Sequence, residues 1–172
     1  MKRFMTLLGL ASLFAISNSL TAQTNDDAKT LTDADRLQMQ VQKICPISGE
    51  DLGSMGKPLK AKMGEQDVYL CCKGCVGKQA GAEHWQKIQD NLAKAQGTCP
   101  IMGKPVTSKL KSTVVNGQQV FVCCPPCIEK IKADPEAALK KINASYTTYL
   151  EAEKELETRD HAEHKQDKPE TK

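Results

Sequence analysis

The sequence predicts an α+β chain of two small tandem ββα modules, with flanking helices and a long C-terminal helix. Three observations carry that expectation. All eight cysteines fall into two sets of four with one pattern. In each set a strand-turn-strand signal leads into a short cysteine segment and then a helix. Beyond Pro135 the apolar residues recur at alternating steps of three and four, the period of a helix.

Composition narrows the function classes. The chain has 172 residues, 40% hydrophobic but only 4% aromatic, and Phe4 and Phe14 lie in the first twenty residues. One Phe, three Tyr, one Trp and aliphatic side chains are left to build the core. Modules this small need support beyond packing, and the cysteines are the available source. Net charge is +3, falling to about +1 without Lys2 and Arg3, which argues against electrostatic nucleic-acid binding.

In chain order, the basic Met1-Lys2-Arg3 precedes an apolar run from Phe4 to Ile16, then small and polar residues to Ala22. This reads as a secretory signal peptide over residues 1–22, cut after Ala22, with Ser19 as the fallback. A run of about thirteen apolar residues is too short to remain as a membrane anchor, so no membrane association is expected after cleavage. The expected location is the periplasm or the exterior, an oxidising setting where free thiols need a metal or redox reason to stay free. Residues 23–36 read as a polar linker, with a helix start at Thr32 or Asp33.

A duplication follows. Gln42-Lys43-Ile44-Cys45-Pro46-Ile47-Ser48-Gly49 matches Gln96-Gly97-Thr98-Cys99-Pro100-Ile101-Met102-Gly103. Val68-Tyr69-Leu70-Cys71-Cys72-Lys73-Gly74-Cys75 matches Val120-Phe121-Val122-Cys123-Cys124-Pro125-Pro126-Cys127. The first cysteine is displaced by 54 residues and the other three by 52. The copies define modules at 37–91 and 92–142. In each, Cys-Pro-Ile-x-Gly is a tight turn. A hairpin over Ser112–Val122 closes at Asn116-Gly117, with the weaker Met63-Gly64 as its counterpart. The last strand delivers the Cys-Cys-x-x-Cys segment to a helix start.

Thiols on a turn and at a helix N-terminus, with a hairpin between, suit a thiolate metal site, because helix-end N–H groups favour the thiolate. The expected ligands are Cys75 and Cys127, then Cys45 and Cys99, then members of the pairs Cys71-Cys72 and Cys123-Cys124. Adjacent side chains in a strand point to opposite faces, so both members reach one centre only if the strand has ended. Three thiolates suit Cu(I), with Met102 as an additional thioether, whereas Zn(II) wants four ligands. Up to one copper or zinc ion per module is expected. Two other readings stay open: a disulfide-stapled or structural-zinc interaction module, and a thiol-disulfide redox protein using the Cys-x-x-Cys pairs.

Phe121-Val122-Cys123-Cys124-Pro125-Pro126-Cys127, followed by Asp134-Pro135-Glu136, resembles the YHS and TRASH-like heavy-metal-binding domains. The resemblance covers about residues 42–140 and implies a treble-clef-like fold. It also implies copper, zinc or a related ion, often beside metal-transport or resistance proteins. The ligands it carries over are Cys123 and Cys127 and, through the repeat, Cys71 and Cys75. The chain departs from the pattern at Ser48 and Met102, where a knuckle cysteine would stand. The first copy lacks Asp-Pro-Glu and inserts Glu50-Asp51-Leu52-Gly53-Ser54-Met55.

Trp85, Ile88 and Leu92 make one helical face between the modules, and His84, a candidate donor, reads more simply as a solvated surface residue. The stripe Leu139, Ile142, Tyr146, Tyr149, Leu156, broken by Glu153, packs on its own module or forms a homodimer through a helix extended over 143–158. Residues 159–172, with His161 and His164, read as a disordered tail. No hydrolytic constellation or phosphate loop is present in the sequence, so a binding protein rather than an enzyme is expected.

Overall fold

A computed structural model describes residues 31–163, with side chains through Arg159. The signal peptide, most of the linker and the last nine residues of the tail lie outside the described residues. The fold is mixed α+β, with four helices and two small two-stranded antiparallel sheets. Its elements are α1 (Asp33–Gln42), β1 (Leu59–Met63), β2 (Gln66–Leu70), a 3₁₀ turn (Lys73–Cys75), α2 (Ala82–Gln96), β3 (Ser112–Val115), β4 (Gln118–Phe121), α3 (Pro126–Ala133) and α4 (Pro135–Glu163).

Local sequence explains most boundaries. Thr32 caps α1 in a reciprocal box with Asp35: the Asp35 amide donates to Thr32 Oγ1 at 3.1 Å, and the Thr32 amide to Asp35 Oδ2 at 2.9 Å. Asn116 and Gly117 take φ of 49° and 83°, the two positive values of a tight hairpin loop. The first hairpin differs from expectation. Met63 pairs with Gln66, so its loop is Gly64-Glu65 rather than Met63-Gly64, and Gly64 takes the positive φ of 62°.

The second cysteine segment enters a true helix: Pro126 opens α3, which stops before Pro135 opens α4. The first segment does not. Lys73–Cys75 makes a single 3₁₀ turn, and α2 begins only at Ala82. Gly74, Gly77 and Gly81 explain the difference, since each glycine costs a helix roughly 1 kcal/mol against alanine.

The main core joins Val41 of α1, Ile88 and Leu92 of α2, Ile131 of α3, and Ile142 and Tyr146 of α4. The C-terminal stripe from Leu139 to Tyr149 therefore packs within the chain, while Leu156 beyond it is 51% exposed. Glu153, which breaks the stripe, binds Lys43 Nζ at 2.7 Å and ties α4 to the end of α1. The helix continues through Arg159–Glu163, into the stretch read as tail. A second, smaller core holds Val68 and Leu70 with Cys45, Cys71 and Cys75, and Trp85 of α2 packs against it. Among the described residues no helix is long and apolar enough to cross a membrane.

Candidate metal centres

Each cysteine group is assembled by the same backbone device. Helices α1 and α2 end in buried glutamines, Gln42 and Gln96. Gln42 Nε2 donates to the carbonyls of Ile44 and Tyr69 at 2.9 and 2.7 Å, while the Tyr69 amide donates to Gln42 Oε1 at 2.9 Å. Gln96 does the same with Thr98 and Phe121, at 3.0, 2.7 and 2.9 Å. Each amide thus clamps the helix end to the strand two residues before the paired cysteines. The repeat displays both glutamines, but sequence reasoning gave them no role.

The residue after each glutamine reverses the chain. Lys43 and Gly97 adopt nearly equal φ/ψ, 65°/−50° and 66°/−49°, and the next amides, of Ile44 and Thr98, donate back to the glutamine carbonyls at 2.8 and 2.7 Å. This is a γ-turn of the strained, positive-φ kind. Glycine takes it without cost in the second copy; Lys43 takes it with strain in the first. The chain then closes a loop, with the Gly49 and Gly103 amides donating to the carbonyls of Cys45 and Cys99 at 2.9 and 2.8 Å.

Strands β2 and β4 end at Leu70 and Phe121, before the cysteine pairs. Adjacent sulfurs therefore fall on one side: Cys71 and Cys72 Sγ are 3.9 Å apart, as are Cys123 and Cys124. Two groups form in which all sulfurs lie within 4.8 Å of one another, Cys45-Cys71-Cys75 and Cys99-Cys123-Cys127. Cys71 to Cys75 is 3.7 Å and Cys123 to Cys127 is 4.0 Å. Two sulfurs each ~2.3 Å from a shared ion stand roughly 3.8–4.0 Å apart, so these spacings fit a common metal. Cys72 adds a 3.9 Å approach to Cys75, and Cys124 a closer one of 3.1 Å to Cys127. All eight thiols are free.

The electrostatics divide the sulfurs. Burial pushes the Cys45 thiol up, but the backbone N–H groups of Ser48, Cys71 and Ile47 outweigh it and bring its pKa to about 6. Cys99 is brought to about 7 against the same burial, by the amides of Cys123, Met102 and Ile101. Burial and the neighbouring sulfurs push Cys75 to about 12 and Cys127 up as well. Sulfurs this close compete for one negative charge, and a cation at their centre removes the competition.

The remaining candidates fall elsewhere. Met102 is 53% exposed, and its amide donates to Cys99. Ser48 Oγ lies 3.3 Å from Cys71 Sγ, a contact the sequence left unassigned, at the position matching Met102. His84 is half-buried rather than solvated: a Cβ added at Gly49 would come within 2.5 Å of its Nε2, so the ring lies over the first cysteine loop. It belongs to neither sulfur group.

Fold and site together define a small α+β protein with two cysteine triads, each of which could hold a metal ion. No family model, curated protein or solved structure matches this chain.

Proposed function

We propose that this chain is an exported metal-binding protein, not an enzyme, that holds up to one copper or zinc ion per module in metal handling. The observation that carries the reading is the convergence of Cys45 with Cys71 and Cys75, and of Cys99 with Cys123 and Cys127, on two sulfur groups. Three sulfurs suit Cu(I); Cys72 and Cys124 complete the four that Zn(II) prefers. The YHS/TRASH resemblance supports a treble-clef-like relation and a partner among metal-transport or resistance proteins. The signal-peptide pattern of residues 1–22 supports the periplasm or the exterior.

Metal content and thiol titration on anaerobically purified protein test it. Two equivalents of ion with protected thiols are expected; ion-free protein with four disulfides would reject it. Competition with a chromogenic Cu(I) chelator then separates handling from structural zinc, whose removal withdraws on the order of 10–16 kcal/mol from a folded module. The 3.1 Å Cys124–Cys127 approach favours one second reading, a dithiol redox pair. Insulin reduction that disappears in Cys124→Ser would support it.

A further inference from the structure

We propose that each module carries two overlapping three-sulfur faces, and that an outer face built on Cys72 or Cys124 loads a soft ion into the inner face completed by the buried Cys45 or Cys99. The inference rests on the metal-binding reading and adds a second site to it. In the first module Cys45, Cys71 and Cys75 are all buried, with Cys45 at 0% exposure, whereas Cys72 is partly exposed. Cys71, Cys72 and Cys75 form a triangle with sides of 3.9, 3.7 and 3.9 Å. A circle through these sulfurs has a radius of about 2.2 Å, close to the ~2.3 Å metal–thiolate bond, so a three-coordinate ion fits at its centre. Cys123, Cys124 and Cys127 repeat the arrangement with sides of 3.9, 4.0 and 3.1 Å and a radius of about 2.1 Å.

The two faces of a module share an edge, Cys71-Cys75 or Cys123-Cys127. An ion crosses that edge by exchanging one ligand. The Cys45 thiolate–metal bond forms as the Cys72 thiolate–metal bond breaks, so one thiolate replaces another and no proton has to move. No electron moves and the ion keeps its charge. Low-coordinate Cu(I) suits such a step because three sulfurs satisfy it before and after. The glycines around Cys72, Gly74 and Gly77, leave the outer face unroofed by a helix, and the neighbouring Lys73 and Val76 are exposed.

The test is stopped-flow transfer of Cu(I) from a chromogenic chelator to full-length protein, with stoichiometry read at equilibrium. Cys72→Ser should still bind two equivalents, with one loading roughly tenfold more slowly; Cys124→Ser should slow the other, and the double variant both. Cys72→Ala, which offers no oxygen donor, guards against a serine ligand and should behave alike. Unchanged rates with full stoichiometry overturn the loading face alone. Loss of an equivalent in Cys72→Ser makes Cys72 a permanent ligand and also overturns it. Wild-type protein that takes no Cu(I) overturns this proposal together with the metal-binding reading.

Discussion

At Asp35 one carboxylate gathers four donors: the Thr32 amide and hydroxyl at 2.9 Å, Lys60 Nζ at 2.6 Å and the Tyr69 hydroxyl at 2.9 Å. Burial pushes its pKa up, but Lys60 and the Thr32 and Tyr69 contacts outweigh it and lower it from 3.8 to about 2. The contribution of the ionised group is thus fully present above about pH 4 and lost as pH falls through about 2. Urea midpoints measured across that window should fall in the wild type and stay flatter in Asp35→Asn. At the thiols, Cys75→Ser should remove one of two bound ions, because Cys75 stands 3.7 Å from Cys71 and 3.9 Å from Cys72. Retention of both ions by inductively coupled plasma analysis would exclude Cys75 as a ligand.

Helix ends and hairpins carry the next level, and the buried glutamines are its clearest test. Gln42→Ala strips partners from the buried amide and carbonyl of Tyr69, at about 1–3 kcal/mol for each group left unsatisfied. Chemical denaturation should show that loss, and the first module should bind its ion more weakly because Cys71 follows two residues on. Gly117→Ala meets a different obstacle: at φ 83° its Cβ would stand 2.1 Å from Asp67 Oδ2, across the contact between the hairpins. A loss of about 1–3 kcal/mol is expected by the same measurement. Elements whose cause is local were legible in the sequence, such as the Thr32 cap, the Asn116-Gly117 loop and the α3 stop before Pro135. The Gly64-Glu65 register was not, because either residue pair beside that glycine offers a two-residue loop. The cysteine spacing likewise revealed two sulfur groups, but the approach of Cys45 to Cys71 depends on the Gln42 clamp, a contact between residues far apart in sequence. Glu153 read as a flaw in an apolar stripe, because its partner Lys43 lies on another element.

Across the whole molecule the two modules share one compact unit, yet their cores are unequal. Three of the five buried members of the smaller cluster are cysteines, leaving Val68 and Leu70 as its buried aliphatic side chains. The larger cluster holds only Cys99 and Cys127 among seventeen buried members, and draws on α1, α2, α3 and α4. Hydrophobic burial therefore supports the second module and the helices without an ion, whereas the first module has less of it and would gain more from an ion on its sulfurs. Removal of metal by a chelator under reducing conditions should then act unevenly. Amides of β1 and β2 and the loop from Cys45 to Gly49 should lose hydrogen-exchange protection first, while Val41, Ile88, Leu92, Ile142 and Tyr146 keep theirs. Two equivalents of zinc should restore the hairpin. A single cooperative loss of protection through α2 and α4 would mean that the ions hold the helical core as well, and that the inequality of the two clusters does not govern stability.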